Sequence, residues 1–334
     1  MKAMVLEKTS LIERKPLKMV DLPIPSPDSR QILVKISVCG ICHTDIDEIE
    51  GRINPSKFPV VPGHQIIGRV KSLGSLVTRF KEGDRVGVAW IWSSCGRCVR
   101  CQEGRENLCD QFQGTGCHVN GGYAEFMIVS EDFAYAIPEI FSDSQAAPLL
   151  CAGAIGYRDL RLSGIKPGQT LGLYGFGASA HIVIQTAKYL GCEVFVFTRS
   201  EAHRSLAKKL GAAWTGSAKD DPPKKLTCAI DFTPVGETVP EALNALEKGG
   251  RLIVAVIRKR TPIPELDYTK CLWDEKEIKS VANITRKDAQ DFLSLAAEIP
   301  IIPELQKFAF SQANDALIML RDGKIRGAGV LIID

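Results

Sequence analysis

The sequence predicts an α/β fold in two domains, the first rich in short strands and the second a doubly wound parallel sheet. Three observations lead to this prediction. The chain has 334 residues, more than one ordinary hydrophobic core organises. Up to about residue 145, short apolar runs are broken by glycines. From about residue 168, strand-like segments alternate with helix-like ones, as in a parallel sheet covered by helices on both faces.

Composition and charge are those of a globular protein. Hydrophobic residues make up 45 % and charged residues 24 % of the chain. Lysine and arginine number 42 against 39 acidic residues, so charge predicts neither nucleic acid nor a membrane surface as a partner. No signal-peptide core is visible, and no apolar run reaches the roughly 18–20 residues of a bilayer span. We therefore expect a cytoplasmic location, where eleven cysteines favour metal binding over disulfides.

The first half is expected to form short strands. Gln31–Val38 alternates partly between apolar and polar residues, as a half-buried strand does. An extended connector should precede it, because proline serves neither a strand ladder nor a helix interior; its prolines are Pro23, Pro25 and Pro27. Glycines then recur at intervals too short for helices; they are Gly63, Gly68, Gly74, Gly83 and Gly87.

The second half predicts the elements of the parallel sheet in turn. The strands are expected at Thr170–Tyr174, Glu193–Phe197, Cys228–Phe232, Arg251–Ile257 and, as a sixth strand, near Ile278–Ala282. The helices between them are expected around Ala180–Leu190, Glu201–Leu210 and Val239–Lys248, the first two stopped by Gly191 and Gly211. A helix over Lys287–Ala297 and a closing strand over Ala328–Ile333 should follow.

Four cysteines form the strongest local motif. Cys95, Cys98, Cys101 and Cys109 have the spacing C-x₂-C-x₂-C-x₇-C. Two-residue gaps let neighbouring thiolates converge on one ion, and four sulfurs complete a closed tetrahedral zinc site. Because a closed site has no position for a substrate, its expected role is to stabilise a loop without a core of its own. Disulfides or four unrelated thiols are the alternatives.

A glycine-rich turn predicts a dinucleotide site. Gly175, Phe176, Gly177 and Ala178 begin the pattern G-x-G-x-x-A, which ends at Ala180 between a predicted strand and helix. The first glycine permits a tight turn, and the second lets the backbone approach a pyrophosphate. The small last residue allows close packing of helix on strand. Phosphate would then bind the free N–H groups at the helix N-terminus.

The end of the second strand of this sheet bears on the choice between NADP and NAD. An NAD site usually has an acidic residue there, which bonds the adenosine ribose hydroxyls. This chain has Thr198, Arg199 and Ser200, with Arg204 close behind. Hydroxyls and a guanidinium suit a 2′-phosphate, so we expect NADP. NAD is the alternative, with Arg199 solvated and Glu201 reaching the ribose.

These motifs together resemble the zinc-containing alcohol dehydrogenases of the medium-chain dehydrogenase/reductase superfamily. The similarity covers nearly the whole chain and includes Gly40–Asp45, Pro62–Gln65, Gly121–Phe126, Leu150–Gly153 and Gly323–Gly327. It implies a GroES-like catalytic domain over residues 1–151, a Rossmann cofactor-binding domain over 152–282 and a return to the catalytic domain over 283–334. It also implies hydride transfer between an alcohol and its aldehyde or ketone, and a homodimer or homotetramer.

The resemblance implies two zinc ions per chain. The second, catalytic zinc would be held by Cys42, His64 and Cys151, with a fourth position open for the substrate oxygen. Thr44 matches the family hydroxyl that bonds this oxygen. Asp45 matches the carboxylate that orients the ligand histidine.

Other parallels and departures concern the surroundings of this zinc. Trp90 matches an aromatic residue of the substrate pocket, and Arg326 an arginine on the cofactor pyrophosphate. Either could instead be an ordinary core tryptophan or surface arginine. Gln65 replaces a common glutamate, and Asp47 stands where bacterial relatives often have a relay histidine. Proton release is therefore expected through Asp47, His43 or water.

Related activities remain as alternatives. A zinc-free quinone or enoyl reductase would lack both ligand sets, and a polyol dehydrogenase usually lacks the cysteine found here as Cys151. A cinnamyl-type aldehyde reductase that uses NADPH stays open. So does a non-catalytic redox sensor on the same fold, which Gln65 and Asp47 favour and the intact ligands with Thr44 oppose.

Overall fold

A computed structural model describes residues 1–333, which form two compact units. Unit 1 contains Met1–Cys151, Asn283–Ala297 and the described residues from Pro303 onward. Unit 2 contains Ala152–Ala282 together with Glu298–Ile302. No helix in the described part of the chain is long and apolar enough to cross a bilayer.

The elements follow in chain order. Residues 1–151 form β1 (Lys2–Leu6), β2 (Leu17–Asp21), β3 (Gln31–Gly40), α1 (His43–Ile49), β4 (Gln65–Leu73), β5 (Arg85–Val88), β6 (Ile91–Ser93), α2 (Val99–Gln102), β7 (Gln113–Gly114), β8 (Phe126–Ser130), β9 (Ala134–Ala136) and α3 (Asp143–Ala146). Residues 152–282 form α4 (Ala152–Ser163), β10 (Thr170–Tyr174), α5 (Ala178–Tyr189), β11 (Glu193–Phe197), α6 (Glu201–Lys209), β12 (Trp214–Gly216), β13 (Leu226–Asp231), α7 (Thr238–Ala245), β14 (Leu246–Val254), α8 (Tyr268–Cys271) and β15 (Glu277–Ser280). The last segment adds α9 (Arg286–Glu298), β16 (Leu305–Ala309), α10 (Ala313–Arg321) and β17 (Ala328–Ile332). Short 3₁₀ turns lie at Ile12–Arg14, Glu106–Leu108, Glu131–Phe133, Ala147–Leu150 and Phe310–Gln312.

One seven-stranded sheet organises unit 1, in the order β16-β17-β3-β4-β5-β9 with β8 also paired to β3. β3 is its central strand and pairs antiparallel with β4, β8 and β17. Only Lys35 of β3 is exposed. The predicted strand is therefore confirmed. The prediction that only one of its faces is buried is wrong, because adjacent residues, such as Leu33 and Val34, point to opposite faces and are both buried. Sequence spacing also missed the helices α1 and α10, and Leu317 of α10 is fully buried.

Unit 2 is built on a six-stranded parallel sheet in the order β12-β11-β10-β13-β14-β15. This is the strand order of a doubly wound dinucleotide-binding fold. Apolar side chains cover both faces, among them Val183 and Ala187 of α5 on one side and Val239 and Leu243 of α7 on the other. The predicted α/β class and the parallel sheet are confirmed.

Most predicted elements of this sheet lie within a few residues of the observed ones. The strands Thr170–Tyr174 and Glu193–Phe197 agree with β10 and β11. The helix expected over Val239–Lys248 is wrong beyond Ala245, because β14 already begins at Leu246. Gly249, with φ +71°, lies within β14, one residue after the end of the predicted helix.

Candidate active site

Helix α1 arranges the first predicted site residues around one thiol. Cys42 is the helix N-cap, with extended backbone angles of φ −138° and ψ 157°. Its backbone N–H donates to Asp45 Oδ2 at 2.7 Å, which fixes the first helical turn. The Thr44 hydroxyl lies 3.6 Å from the Cys42 sulfur, and Thr44 is only 8 % exposed. A thiol and a hydroxyl therefore lie side by side at the start of α1.

Three donor groups from distant parts of unit 1 converge at this thiol. The sulfurs of Cys42 and Cys151 and one imidazole nitrogen of His64 lie within 4.8 Å of one another, with the two sulfurs 4.0 Å apart. Interaction with the Cys151 thiol and with His64 lowers the pKa of the Cys42 thiol well below its usual value, although burial opposes this shift. A thiolate is the form that binds a metal. This Cys₂His set fits zinc with three protein ligands.

Asp45 supports this donor set and leaves one nitrogen of His64 for a metal. Asp45 is fully buried, and its Oδ1 lies 3.0 Å from His64 Nδ1. Its Oδ2 also accepts a hydrogen bond from the Tyr123 hydroxyl at 3.0 Å. Both ring nitrogens of His64 are buried without a hydrogen bond to the described residues, but only Nδ1 has the Asp45 carboxylate beside it. A buried imidazole oriented through Nδ1 and free at Nε2 is the arrangement expected of a metal ligand.

Glu48 is a site residue that the sequence analysis did not identify. It is 1 % exposed, and one of its carboxylate oxygens lies within 4.8 Å of donor atoms of Asp45 and His64. Its Oε1 accepts a hydrogen bond from Trp90 Nε1 at 3.1 Å. Burial raises the pKa of the Glu48 carboxyl to about 8. Glu48 could have been found from the sequence by its position three residues after Asp45, because residues at this spacing lie on one face of a helix.

An aromatic cluster adjoins the donor set. The ring of Trp90 lies 6.4 Å from that of His64 between centroids, at an angle of 60°. Phe112 lies 5.2 Å from Trp90, and His118 lies 6.0 Å from Phe112. Trp90 as a whole residue is half-buried and lies beside the predicted metal ligand.

The two remaining catalytic candidates have different surroundings. His43 is exposed at the start of α1. The Asp47 carboxylate forms an ion pair with Arg52, which also contacts Glu50. Asp47 is thus held by a guanidinium instead of standing free beside the thiols.

The four cysteines come together in one segment of unit 1, residues 95–109, which we call the cysteine lobe. All four sulfurs lie within 4.8 Å of one another, with those of Cys95 and Cys101 3.9 Å apart. Backbone N–H groups of Arg97 and Cys98 lower the pKa of the Cys95 thiol to about 6. The Cys109 sulfur accepts the backbone N–H of Cys95 at 3.5 Å. Four converging sulfurs with N–H donors around them fit a closed zinc site.

Glu106 connects this lobe to the returning chain. It lies between Cys101 and Cys109 and is 2 % exposed. Its Oε1 accepts the backbone N–H of Arg286 at 2.8 Å and the Arg286 Nε at 3.2 Å. Arg286 is the first residue of α9, three positions after the chain re-enters unit 1. The lobe therefore anchors the start of α9.

The glycine turn lies between β10 and α5 of unit 2. Gly175 has φ +83°, a conformation that favours glycine. Gly177 is the N-cap of α5, and a Cβ at this position would meet nothing within 4 Å. Phe176 is buried at 3 % exposure. Ala178 is the first residue of α5. The first N–H groups of a helix have no partner within it, so this end suits an anion.

The loop after β11 carries the residues predicted for the 2′-phosphate. Ser200 is the N-cap of α6 and accepts the N–H of His203 at 3.4 Å. Thr198 Oγ1 accepts the N–H of Ser200 at 3.4 Å. Arg204 Nε donates to the Thr198 carbonyl at 2.9 Å, which ties this arginine to the strand end. Arg199 is exposed. Arg326 lies in unit 1, 53 % exposed and 3.3 Å from Glu304, and its role at a cofactor stays a prediction.

Comparison with known proteins identifies the family. Residues 28–139 match the alcohol dehydrogenase GroES-like domain, and residues 180–298 match the zinc-binding dehydrogenase domain. The probable alcohol dehydrogenase AdhA of Mycobacterium tuberculosis (strain CDC 1551 / Oshkosh) is 45 % identical over 323 residues, which are 95 % of this chain and 93 % of that protein. The chain belongs to the zinc-type alcohol dehydrogenases of the medium-chain dehydrogenase/reductase superfamily.

Solved structures of other alcohol dehydrogenases share this fold. An NAD-dependent alcohol dehydrogenase has a TM-score of 0.93 at 25 % identity, over 100 % of both chains. A cinnamyl alcohol dehydrogenase from Sorghum bicolor has a TM-score of 0.86 at 28 % identity, over 95 % of this chain and 94 % of that one. The predicted family and its GroES-like and Rossmann folds are confirmed. The protein is an NAD(P)-dependent alcohol dehydrogenase, which interconverts small-molecule alcohols and aldehydes with zinc and a nicotinamide cofactor.

Proposed function

We propose that this alcohol dehydrogenase binds two zinc ions per chain and uses NADP⁺ to oxidise primary or secondary alcohols to aldehydes or ketones. Cys42, His64 and Cys151 would hold the catalytic zinc, and the other site would use the cysteine lobe, Cys95 to Cys109. The observation that carries the proposal is the Cys₂His donor set with its free, buried His64 Nε2 next to the Thr44 hydroxyl.

Side chains of α1 would assist the reaction at the zinc. When bound, zinc supplies Lewis-acid chemistry toward the substrate oxygen. The Thr44 hydroxyl, 3.6 Å from the Cys42 sulfur, would hydrogen-bond that oxygen and accept its proton during oxidation. Asp45 keeps His64 oriented through Nδ1. The hydride would pass directly between the substrate carbon and the nicotinamide ring.

The proton would leave through Thr44 toward His43 or solvent water. His43 is exposed and adjacent to Thr44 in α1, so it can exchange a proton with solvent. Asp47 was an alternative carrier, but its carboxylate is paired with Arg52.

The loop after β11 supports NADP as the cofactor. Its 2′-phosphate would contact the exposed Arg199, together with the hydroxyls of Thr198 and Ser200. Glu201 is the acidic residue of this loop, 77 % exposed and 3.8 Å from Arg204. If Glu201 bonded the ribose hydroxyls instead, NAD would be preferred.

We propose the same domain roles as the sequence analysis, with residues 1–151 and 283–334 as the catalytic domain and 152–282 as the cofactor domain. A homodimer could form by pairing of the edge strand β15, all of whose residues are exposed, and a homotetramer by pairing of two such dimers. All eleven cysteines are free thiols, which suits the cytoplasm.

A cinnamyl-type NADPH-dependent aldehyde reductase is the second candidate. The half-buried Trp90 and its neighbour Phe112 could pack against an aromatic aldehyde. The similarity to the Sorghum cinnamyl alcohol dehydrogenase also favours it.

Initial rates with both cofactors test the proposal. Short, branched and aromatic alcohols would be oxidised with NADP⁺ and NAD⁺, and the matching aldehydes reduced, while zinc per chain is measured. We expect NADP⁺ to be preferred and Cys42→Ser to lose turnover together with one zinc. Cys192→Ser is the matched control, because Cys192 lies in unit 2 outside both donor sets. A zinc-loaded protein without turnover on any substrate would leave the sensor alternative.

A further inference from the structure

The Glu48 carboxylate is the starting point. It is 1 % exposed on α1, and its Oε1 accepts from Trp90 Nε1 at 3.1 Å. Its Oε2 is buried and has no hydrogen-bond partner among the described residues. Burying a polar carboxyl group costs free energy unless hydrogen bonds compensate it, and an apolar side chain of similar size would avoid that cost. The bond to Trp90 is thus the one hydrogen bond that the structure gives this side chain.

Trp90 is held from more than one side. On the edge that carries Nε1, Gly114 lies so close that a Cβ added there would be 3.1 Å from Nε1 and 3.3 Å from Cε2. Phe112 packs against the ring at 5.2 Å between centroids and an angle of 55°. With Nε1 bonded to Glu48 as well, the indole has one supported orientation.

That orientation brings the indole to the predicted catalytic zinc site. The ring centroids of Trp90 and His64 lie 6.4 Å apart, and Trp90 as a residue is only partly buried. Glu48 is on the same short helix as Thr44 and follows the ligand Cys42 by six positions. One helix therefore carries a metal ligand, the substrate-binding hydroxyl and the support of the aromatic wall.

We propose that Glu48 is a positioning residue, which fixes the Trp90 indole beside the zinc site and so gives this enzyme its preference for alcohols and aldehydes with an aromatic group. The inference rests on the proposed function. A fixed aromatic surface stacks well against a planar ring, whereas a short alkyl chain gains little from it. If the indole loses its bond to Glu48, it can take other orientations, and the aromatic substrate loses more contact than a short one does.

The test compares two substitutions of Glu48 in the zinc-loaded, full-length protein. Glu48→Gln keeps an Oε1 acceptor for Trp90, whereas Glu48→Met fills a similar volume without one. Trp90→Phe removes the donor and identifies the Trp90 signal among the four tryptophans. Trp92→Phe is the matched control, because Trp92 Nε1 also donates at 3.1 Å, but to the backbone carbonyl of Ile128.

Two readouts follow each variant. In nitrogen-15 spectra, the indole N–H signal of Trp90 should shift and exchange faster with water in Glu48→Met, but stay near its original position in Glu48→Gln. The ratio of kcat/KM for cinnamyl or benzyl alcohol to that for ethanol should fall about tenfold in Glu48→Met and in Trp90→Phe. In the double variant of Glu48 and Trp90 this ratio should fall no further, since both substitutions remove the same hydrogen bond. Trp92→Phe should leave the ratio and the Trp90 signal unchanged.

Each outcome decides the proposal. An unchanged indole N–H signal of Trp90 in Glu48→Met overturns it. A shifted signal with an unchanged ratio of kcat/KM between the aromatic alcohol and ethanol also overturns it. Equal loss on every alcohol in both Glu48 variants would instead assign the carboxylate to the chemical step. If Glu48→Met does not fold, the ratio in Trp90→Phe and the spectrum of Glu48→Gln still decide it. If the wild-type enzyme turns over no alcohol, the proposed function fails, whereas the indole signal still reports the bond between Glu48 and Trp90.

Discussion

Removing the Glu106 carboxylate should loosen the start of α9 without disturbing the rest of the fold. Glu106 accepts the backbone N–H of Arg286 at 2.8 Å and its Nε at 3.2 Å. The first bond satisfies an N–H group that the helix itself cannot pair, a contribution of about 1 kcal/mol. The second is a charge-assisted bond to a side chain 38 % exposed, which we discount to about 0.5–1 kcal/mol. In Glu106→Ala, Arg286 can turn to solvent, so no charge stays buried.

The expected loss of about 1.5–2 kcal/mol corresponds to about 10- to 30-fold faster amide exchange in the first turns of α9. Hydrogen exchange by mass spectrometry measures this locally, which avoids assuming that a protein of two units unfolds in one step. Amides of α5 should keep their protection. Glu103→Ala is the matched control, because Glu103 is 47 % exposed in the same lobe and pairs with the surface residues Arg100 and Arg105 instead of α9.

A chelator that removes the zinc proposed for the cysteine lobe should also speed amide exchange at the start of α9. If the metal holds the loop that carries Glu106, its removal should speed exchange in α9 of the wild type but add little in Glu106→Ala. Unchanged exchange in α9 after Glu106→Ala would refute the reasoning. The reasoning would also be refuted if chelation sped amide exchange in the cysteine lobe but not in α9.

Three shorter predictions concern the two proposed binding sites. Arg199→Ala should raise KM for NADP⁺ about 10- to 100-fold and leave KM for NAD⁺ nearly unchanged, because the lost charge-assisted bond serves only the 2′-phosphate; equal effects on both cofactors would exclude this contact. Asp45→Asn should lower zinc affinity at the catalytic site about 10- to 100-fold, as measured by competition with a chelator, and leave the zinc of the cysteine lobe in place. Gly175→Ala should destabilise unit 2 by about 1–2 kcal/mol in denaturant unfolding, because φ at this position is +83°; Gly177→Ala, at an N-cap without that strain, is its control.

Sequence alone predicted the parts of the structure that depend on local spacing. The cysteine motif spans fifteen residues, so its convergence follows from short loops. The order of strands and helices in unit 2 follows from their alternation, because a parallel sheet needs crossover helices. The predicted end of α7 was wrong because the helical spacing of apolar residues continues to Leu246, which belongs to β14 instead.

Contacts between distant segments could not be predicted in this way. Cys42 and Cys151 are separated by 109 positions, and only resemblance to a family suggested that they share a metal. Glu48 and Trp90 are separated by 42 positions, and no motif links them. A glutamate on a short helix is ordinarily solvated. Its burial here depends on contact between α1 and the segment between β5 and β6 that carries Trp90, which the sequence pattern does not contain.

The acidic residues of α1 show why residue type alone was a poor guide to role. Asp45 is buried with three partners, the Cys42 backbone, the Tyr123 hydroxyl and His64 Nδ1. Its charge is compensated, so its replacement should act on the histidine and therefore on the metal. Asp47 is paired with Arg52, and in the proposed function it is not the group that carries the proton. Glu48 is buried with one bonded oxygen, so its replacement should act chiefly through Trp90. Three carboxylates within four positions thus have three different tasks, and the distinction lies in what each one contacts.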